Sequence, residues 1–420
     1  MIERLYSAAA LLCHAVVKTA DQLSRLPRAR AVIGQRVRRL DAAIGRIGGR
    51  RRVLFETQSP LNLVVLRPLI DALAAQPRVQ VRITHDGRAD IVRALSEPAL
   101  APLVINRSAA AWTRFDLYVN ADPWAPVQLH RTVRRLTLFH GVAGKYDLDC
   151  PSRDAGLFDA YDTVAFVNED RLRRYIDGGV IDAPRAALVG YPKLDRLVRG
   201  EFDPVAVRRS LGFDTARPTI VYAPTWSPVS SLHHAGEAII DAMLARGWNV
   251  IAKLHDNCFL PGAKYANGID WRARLARFRS TGTFALVETG DASPYLAASD
   301  VMVTDHSSIG FEFLALDRPL VVFDAPDLAR VARINPEKVA LLRSAATVVA
   351  TAEELGGAIG VALAKPSAQS PERRRVATAM FHQPGTATNR AVAVACRLLD
   401  IPEPEGIRAD VSSPARITAA

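Results

Sequence analysis

Short apolar runs alternate with longer stretches of helical periodicity from Arg52 onward. Val53-Leu54-Phe55 reads as a first strand, Leu61 to Ala74 as a helix and Val79 to Ile83 as a second strand. Later strands are predicted at Asp116 to Val119, Leu136 to Phe139 and Val164 to Val167. A hinge-like stretch, Lys193 to Pro204, follows, and then the rhythm restarts. Its strands fall at Thr219 to Tyr222, Val250 to Lys253, Phe284 to Val287, Val301 to Thr304 and Leu320 to Phe323. Strands separated by helices predict mostly parallel sheets, and two such series predict an α/β protein of two doubly wound Rossmann-like domains.

The ends of the chain differ from this body. Ile33, Val37, Leu40, Ile44 and Ile47 recur at intervals of four and three, so they share one helical face, with Arg36, Arg39 and Arg46 away from its centre. This pattern predicts a basic amphipathic helix that either lies on an anionic membrane or packs on the protein. The earlier apolar stretch Ala8 to Val17 is too short to span a bilayer, and no clear cleavage site follows it. At the other end, Ser370 to Leu399 reads as a helical return to the N-terminal domain and the Pro-, Ser- and charge-rich tail as disordered. The expected division is an extension over 1–50, α/β domains over 51–200 and 201–365, the helical return over 366–400 and the tail over 401–420.

Composition narrows the function classes. Of the formal charge of +11 on 420 residues, +9 belongs to Met1 to Arg52, which holds eleven arginines and one lysine against Glu3, Asp21 and Asp41. Basic character confined to one end, with no nucleic-acid module, argues against a nucleic-acid partner. The four cysteines, Cys13, Cys150, Cys258 and Cys396, form no CxxC pair, so neither a zinc knuckle nor a disulfide framework is indicated, and a reducing cytoplasm is the expected compartment. No GxxxxGK[ST] or GxGxxG loop occurs, which removes the simplest ATP and dinucleotide readings. Gly178-Gly179 and Gly356-Gly357 read as helix ends.

Candidate chemistry gathers after strands. In Val301 to Phe313, VMVTDHSSIGFEF, an apolar run turns through Asp305-His306-Ser307-Ser308 into a helix-forming segment. The first amides of a helix lack partners, so Ser307 and Ser308 mark either a phosphate cradle or an ordinary serine N-cap. His140 and His255 each follow a predicted strand, where ligands of doubly wound sheets bind.

Five segments in order carry a resemblance. They are Leu138-Phe139-His140-Gly141 with Lys145, Gly190-Tyr191-Pro192-Lys193-Leu194-Asp195, Tyr222-Ala223-Pro224-Thr225-Trp226, Lys253-Leu254-His255, and Thr304 to Ser308. Together they resemble the CDP-glycerol glycerophosphotransferase family, which polymerises teichoic-acid-type glycerol phosphate. The resemblance implies a GT-B fold, two α/β domains facing a cleft, and no cofactor or metal. It implies a CDP-glycerol or similar CDP-polyol donor, a lipid-linked glycan acceptor, and a cytoplasmic enzyme peripheral on the inner face of the membrane.

It also implies roles. His140 is the expected general base, since imidazole titrates near neutrality, with Gly141 admitting a ligand closely and Lys145 able to meet the acceptor's phosphate. His255 is the second expected catalytic residue, stabilising charge on donor phosphate. Ser307, Ser308 and Thr225 are expected at the pyrophosphate. Glu312 is expected at a ribose or glycerol hydroxyl, unless it is an ordinary exposed helix glutamate. Asp256-Asn257 stands where the family usually has proline after the histidine, and Ser227-Pro228 where it typically continues with arginine. The alternatives are a UDP-sugar glycosyltransferase, a UDP-N-acetylglucosamine 2-epimerase-like enzyme, and a catalytically inert membrane scaffold.

Overall fold

The computed structural model describes residues 49–405 except 124, 125, 128, 130–133, 140, 143–155, 261, 263 and 264. The expected amphipathic extension, most of the expected disordered tail, His140 and Lys145 therefore lie outside the described residues.

Twelve described strands form two six-stranded sheets. The first contains β1 (Arg51–Thr57), β2 (Val79–His85), β3 (Leu117–Asn120), β4 (Arg134–Leu138), β5 (Thr163–Phe166) and β6 (Ala186–Leu188), in the order β2-β1-β3-β4-β5-β6. The second contains β7 (Thr219–Tyr222), β8 (Asn249–Lys253), β9 (Phe284–Val287), β10 (Val301–Thr304), β11 (Leu320–Phe323) and β12 (Thr347–Val349), in the order β12-β11-β10-β7-β8-β9. Every strand pairing described is parallel. The two doubly wound sheets expected from the sequence are present. Strand order reverses between β1 and β3 in one sheet and between β7 and β10 in the other, which fixes where a ligand crevice opens.

The elements follow from ordinary local rules. Helix Pro60–Ala74 starts with Pro60 in its first turn and Ser59 as N-cap, whose side chain accepts from the Asn62 amide. Leu63, Leu66, Ile70 and Leu73 recur at helical spacing and are buried with β1 residues Val53, Leu54 and Phe55 in the first core. In the second, Ile220, Val250 and Val303 pack with Ile239, Ile240 and Met243 of helix Ser231–Leu244 and with Leu355 and Ile359 of helix Ala352–Ala364. Burying each such side chain contributes about 1.5–3 kcal/mol.

By packing, the described residues up to Leu138, those of 160–163 and those from Val392 form one compact unit, and the described residues of 139–159 and 164–391 form a second.

Three local readings are corrected. Edge strands β6 and β12 escaped the sequence pattern because each is only three residues long, β6 being Ala-Ala-Leu and β12 having two of its three residues exposed. Gly356-Gly357 lies inside helix Ala352–Ala364, where a Cβ on Gly356 would stand 3.0 Å from Nε of Arg246, so close packing rather than termination explains the glycine. The expected hinge contains helix Pro192–Val198, with Lys193, Leu194, Asp195 and Leu197 buried.

That helix belongs to a clamp on the C-terminal segment. Asp195, fully buried, accepts from the amides of Gly385 (2.9 Å), Ala387 (3.1 Å) and Thr388 (2.6 Å), satisfying the start of helix Ala387–Leu399. Gly190 has φ +89°, and a Cβ there would sit 2.5 Å from the His382 carbonyl oxygen. Arg390 donates to the carbonyls of Val189, His382 and Gln383 at 2.7, 3.0 and 2.8 Å. Asp195→Ala removes an acceptor shared by three amides and is expected to destabilise the protein by about 3 kcal/mol in urea denaturation, since bonds to a charged group contribute about 1.5–3 kcal/mol each and partly overlap. A loss under about 1 kcal/mol would show that water replaces the carboxylate.

Candidate functional site

The reversal between β7 and β10 is closed by one carboxylate. Asp305 follows β10 and is fully buried. Its Oδ1 accepts from the Thr225 amide at 3.0 Å and the Thr225 hydroxyl at 2.6 Å. Its Oδ2 accepts from the Ser231 amide and hydroxyl at 3.2 and 3.0 Å. The carboxylate thus occupies the start of helix Ser231–Leu244, a place that would otherwise suit a phosphate. Thr225 is only 2 % exposed, and its single O–H proton is spent on Asp305. Its geometry is that of a loop staple.

Ser307 and Ser308 are placed differently. Both are half-buried, and neither hydroxyl has a hydrogen-bond partner among the described residues. Ser308 is the N-cap residue of helix Ile309–Leu314 without making a side-chain cap, so the ordinary N-cap reading does not describe it. The helix has six residues, too few for a large macrodipole, which leaves the two hydroxyls as the corner's main donors. The neighbouring His306 is buried, with Nε2 3.8 Å from Asp324, itself held by Arg343 at 2.6 Å.

His255 follows β8 and caps the short 3-10 turn Asp256–Phe259, its Nδ1 accepting from the Asn257 amide at 3.1 Å. That bond fixes the neutral ring with its proton on Nε2. Trp226 lies 6.1 Å from the His255 ring and 5.6 Å from Tyr265, tying the loops after β7 and β8 together. Lys253, the last residue of β8, is buried, and burial holds its ammonium below the usual lysine range.

Glu312 is not an exposed helix glutamate. It is 6 % exposed, and its oxygens lie 2.9 and 2.7 Å from Lys193 Nζ, itself 6 % exposed. Tyr191, beside this pair, is fully buried, and burial with the Glu312 charge pushes its phenol well above the ordinary value. The pair gives Glu312 a structural partner that spacing alone did not suggest.

Next to the first histidine in the chain, Gly141 is half-buried, and a Cβ on it would meet nothing within 4 Å among the described residues. Its carbonyl accepts from Arg171 at 2.7 Å, and that guanidinium lies over the Phe139 ring, 4.8 Å from its centroid. At the β1/β3 reversal, Glu56 accepts from the Tyr118 hydroxyl and from the Val127 amide and pairs with Arg107. Burial raises its carboxyl above the ordinary value against those bonds. The sequence reading passed over Glu56 and gave no role to Lys193 or Asp305, though both stand in its motifs. The available signal was a charged residue inside an apolar run, as in Arg-Arg-Val-Leu-Phe-Glu-Thr.

A family model for CDP-glycerol:poly(glycerophosphate) glycerophosphotransferases matches residues 180–392. No curated protein sequence matches significantly. Among solved structures, a histidine variant of the wall teichoic acid polymerase TagF superposes with a TM-score of 0.61 at 15% identity, over 91% of this chain and 98% of that one. A TagF variant soaked with CDPG gives 0.60 at 15% identity over the same shares. A UDP-N-acetylglucosamine 2-epimerase described as putative, from Listeria monocytogenes, gives 0.55 at 14% identity, over 85% of this chain and 99% of that one. These likenesses identify the fold as GT-B-like.

The Lys193–Glu312 pair makes a stability prediction. Lys193→Met alone strands a buried carboxylate and is expected to cost about 3–5 kcal/mol, whereas Lys193→Met with Glu312→Leu should recover most of that loss. Chemical denaturation of the single and double variants checks this, and additive losses would mean the two charges act independently.

Proposed function

The chain belongs to the CDP-glycerol:poly(glycerophosphate) glycerophosphotransferase family, and from that premise we propose how its residues divide the transfer. The enzyme moves a glycerol phosphate unit from a CDP-activated donor and releases CMP. An acceptor oxygen forms a bond to the donor's distal phosphorus, the bond from that phosphorus to the bridging oxygen breaks, and CMP leaves with the electron pair. The acceptor's proton must go to a base, and the charge on the diphosphate must be offset.

The observation that carries the assignment is the pair of unengaged hydroxyls on Ser307 and Ser308 at the β10 edge, beside a helix start that Asp305 already fills. A diphosphate is repelled from Asp305 and attracted to the serine corner. Ser307 and Ser308 therefore bind the donor's phosphates, and His255, with its proton on Nε2, donates to the transferring or leaving oxygens. Thr225 shapes this corner through Asp305, and Glu312 shapes it through Lys193. His140 is the general base and Lys145 meets an acceptor phosphate, roles that rest on the family motif. The acceptor is a lipid-linked glycan chain. The UDP-sugar alternatives are set aside on the family match.

Ser307→Ala with Ser308→Ala is expected to weaken CDP binding by about 2–4 kcal/mol in calorimetry, two charge-assisted bonds discounted for the amides that remain. His140→Ala should instead leave CDP affinity nearly intact and lower turnover by about 10² to 10⁴. Its ascending pH limb near the imidazole value of about 6.5 should vanish. Unaltered CDP affinity in the serine variant, or wild-type turnover in the histidine variant, refutes the corresponding role.

The N-terminal segment holds the enzyme peripherally on an anionic membrane face, a reading supported by the net +9 before Val53 and the Ile33-to-Ile47 stripe. Among the described residues no helix is long and apolar enough to cross a membrane. Deleting residues 1–50 should leave a folded protein that no longer sediments with phosphatidylglycerol-containing vesicles, and unchanged sedimentation refutes the anchor.

A further inference from the structure

Three lysines are buried among the described residues, Lys193, Lys253 and Lys338, each 6 % exposed. Lys193 is bonded to Glu312 at 2.7 Å and Lys338 to Asp170 at 3.0 Å. Lys253 has no carboxylate within 4 Å among the described residues, and the one side-chain hydrogen bond it makes among them goes to the carbonyl of the next residue, Leu254, at 2.8 Å. An ammonium carries three protons, so two remain for other acceptors. A buried cation with one carbonyl partner is costly where nothing compensates it.

The surroundings say what would compensate it. Lys253 ends β8, two residues before His255, at the carboxyl edge where ligands of such sheets bind. The charges that reach it are Lys193, which repels it, and Asp256 and Asp291, which favour it from beyond ion-pair distance, with the Cys258 thiol nearby. Lys193 is already neutralised by Glu312. Asp256 begins the 3-10 turn after His255, and Asp291 accepts from the Ser293 amide at 2.9 Å. Among the described residues no carboxylate closes the site, which leaves the ammonium able to take an external oxyanion.

We propose that Lys253 contacts a phosphoryl oxygen of the donor's diphosphate, completing an edge that also carries His255. This deepens the donor-site reading above and rests on it. The sequence alone could not separate this role from that of a structural strand lysine, and the contrast with Lys193 and Lys338 separates them. The same chemistry could come from a phosphate on the acceptor, so the test compares both sources.

The measurements are calorimetric affinities of full-length Lys253→Met and Lys253→Gln for CDP, CMP, cytidine and glycerol 3-phosphate, beside the Ser307→Ala/Ser308→Ala protein, with melting temperatures of all ligand-free proteins. Both Lys253 variants should bind CDP about 10- to 100-fold more weakly, the range for a lost charge-assisted contact, with cytidine affinity unchanged. Their ligand-free melting temperatures should equal or exceed that of the wild type, because a poorly compensated buried charge is gone. Lys253→Gln separates charge from hydrogen bonding, and it carries the test if the methionine protein does not fold.

CDP affinity unchanged at Lys253 but lost in the serine variant overturns this inference and leaves the donor site standing. Affinity unchanged in both removes both. Loss confined to glycerol 3-phosphate overturns it in favour of the acceptor, and lowered melting temperature in both Lys253 variants overturns it in favour of a structural role.

Discussion

The corner where the second sheet reverses its strand order depends on a buried carboxylate. Asp305 draws four donors from Thr225 and Ser231 onto the end of β10, so the loop after β7 and the start of helix Ser231–Leu244 are held to a neighbouring strand. A buried carboxylate is tolerated only when such donors replace its water. Trp226, next in the chain, is thereby set against His255, so the constraint reaches the loop after β8. Gly310 completes the corner from the other side. A Cβ there would lie 3.1 Å from Leu342 and 3.4 Å from Thr304, so glycine lets helix Ile309–Leu314 sit tightly against β10.

The Gly190-to-Asp195 motif does comparable work without any reacting group. Gly190 permits the close approach of the His382 carbonyl, Asp195 caps helix Ala387–Leu399, and Lys193 neutralises Glu312. Its polar residues look functional in sequence, yet each has a partner inside the protein. A short motif rich in Gly, Lys and Asp can therefore mark a joint in the chain as readily as a catalytic centre. Only the bonding pattern tells the two apart.

Periodicity made most of the fold legible, because apolar strands buried on both faces read as continuous runs such as Val301 to Thr304 and Leu320 to Phe323. It failed at the sheet edges, where β6 and β12 have three residues each, β6 buried but too short to leave a pattern and β12 with two of its three residues exposed. The site was legible in position but less so in role. Ser307, Ser308 and His255 fall after strands, as expected. Thr225 and Glu312 were read as ligand-binding side chains, and the structure gives each an internal partner that the sequence did not suggest, Asp305 and Lys193. Those ties join residues 80 and 119 positions apart, a separation that no local pattern reveals.

Satisfaction of polar groups then separates shaping residues from those that can act. Asp305, Asp195, Lys193 and Glu312 are buried and each is bonded to a partner inside the protein, so a ligand would compete with bonds already made. A site for a multiply charged diphosphate must do the reverse. It has to keep donors unspent and positive charge unneutralised, even though both cost stability while the site is empty. Among the described residues the serine hydroxyls and the Lys253 ammonium meet that condition, whereas Asp305 already fills the neighbouring helix start. A fully bonded carboxylate and incompletely satisfied donors thus stand together at the carboxyl edge of one sheet, after β10 and at the end of β8, with β7 between them.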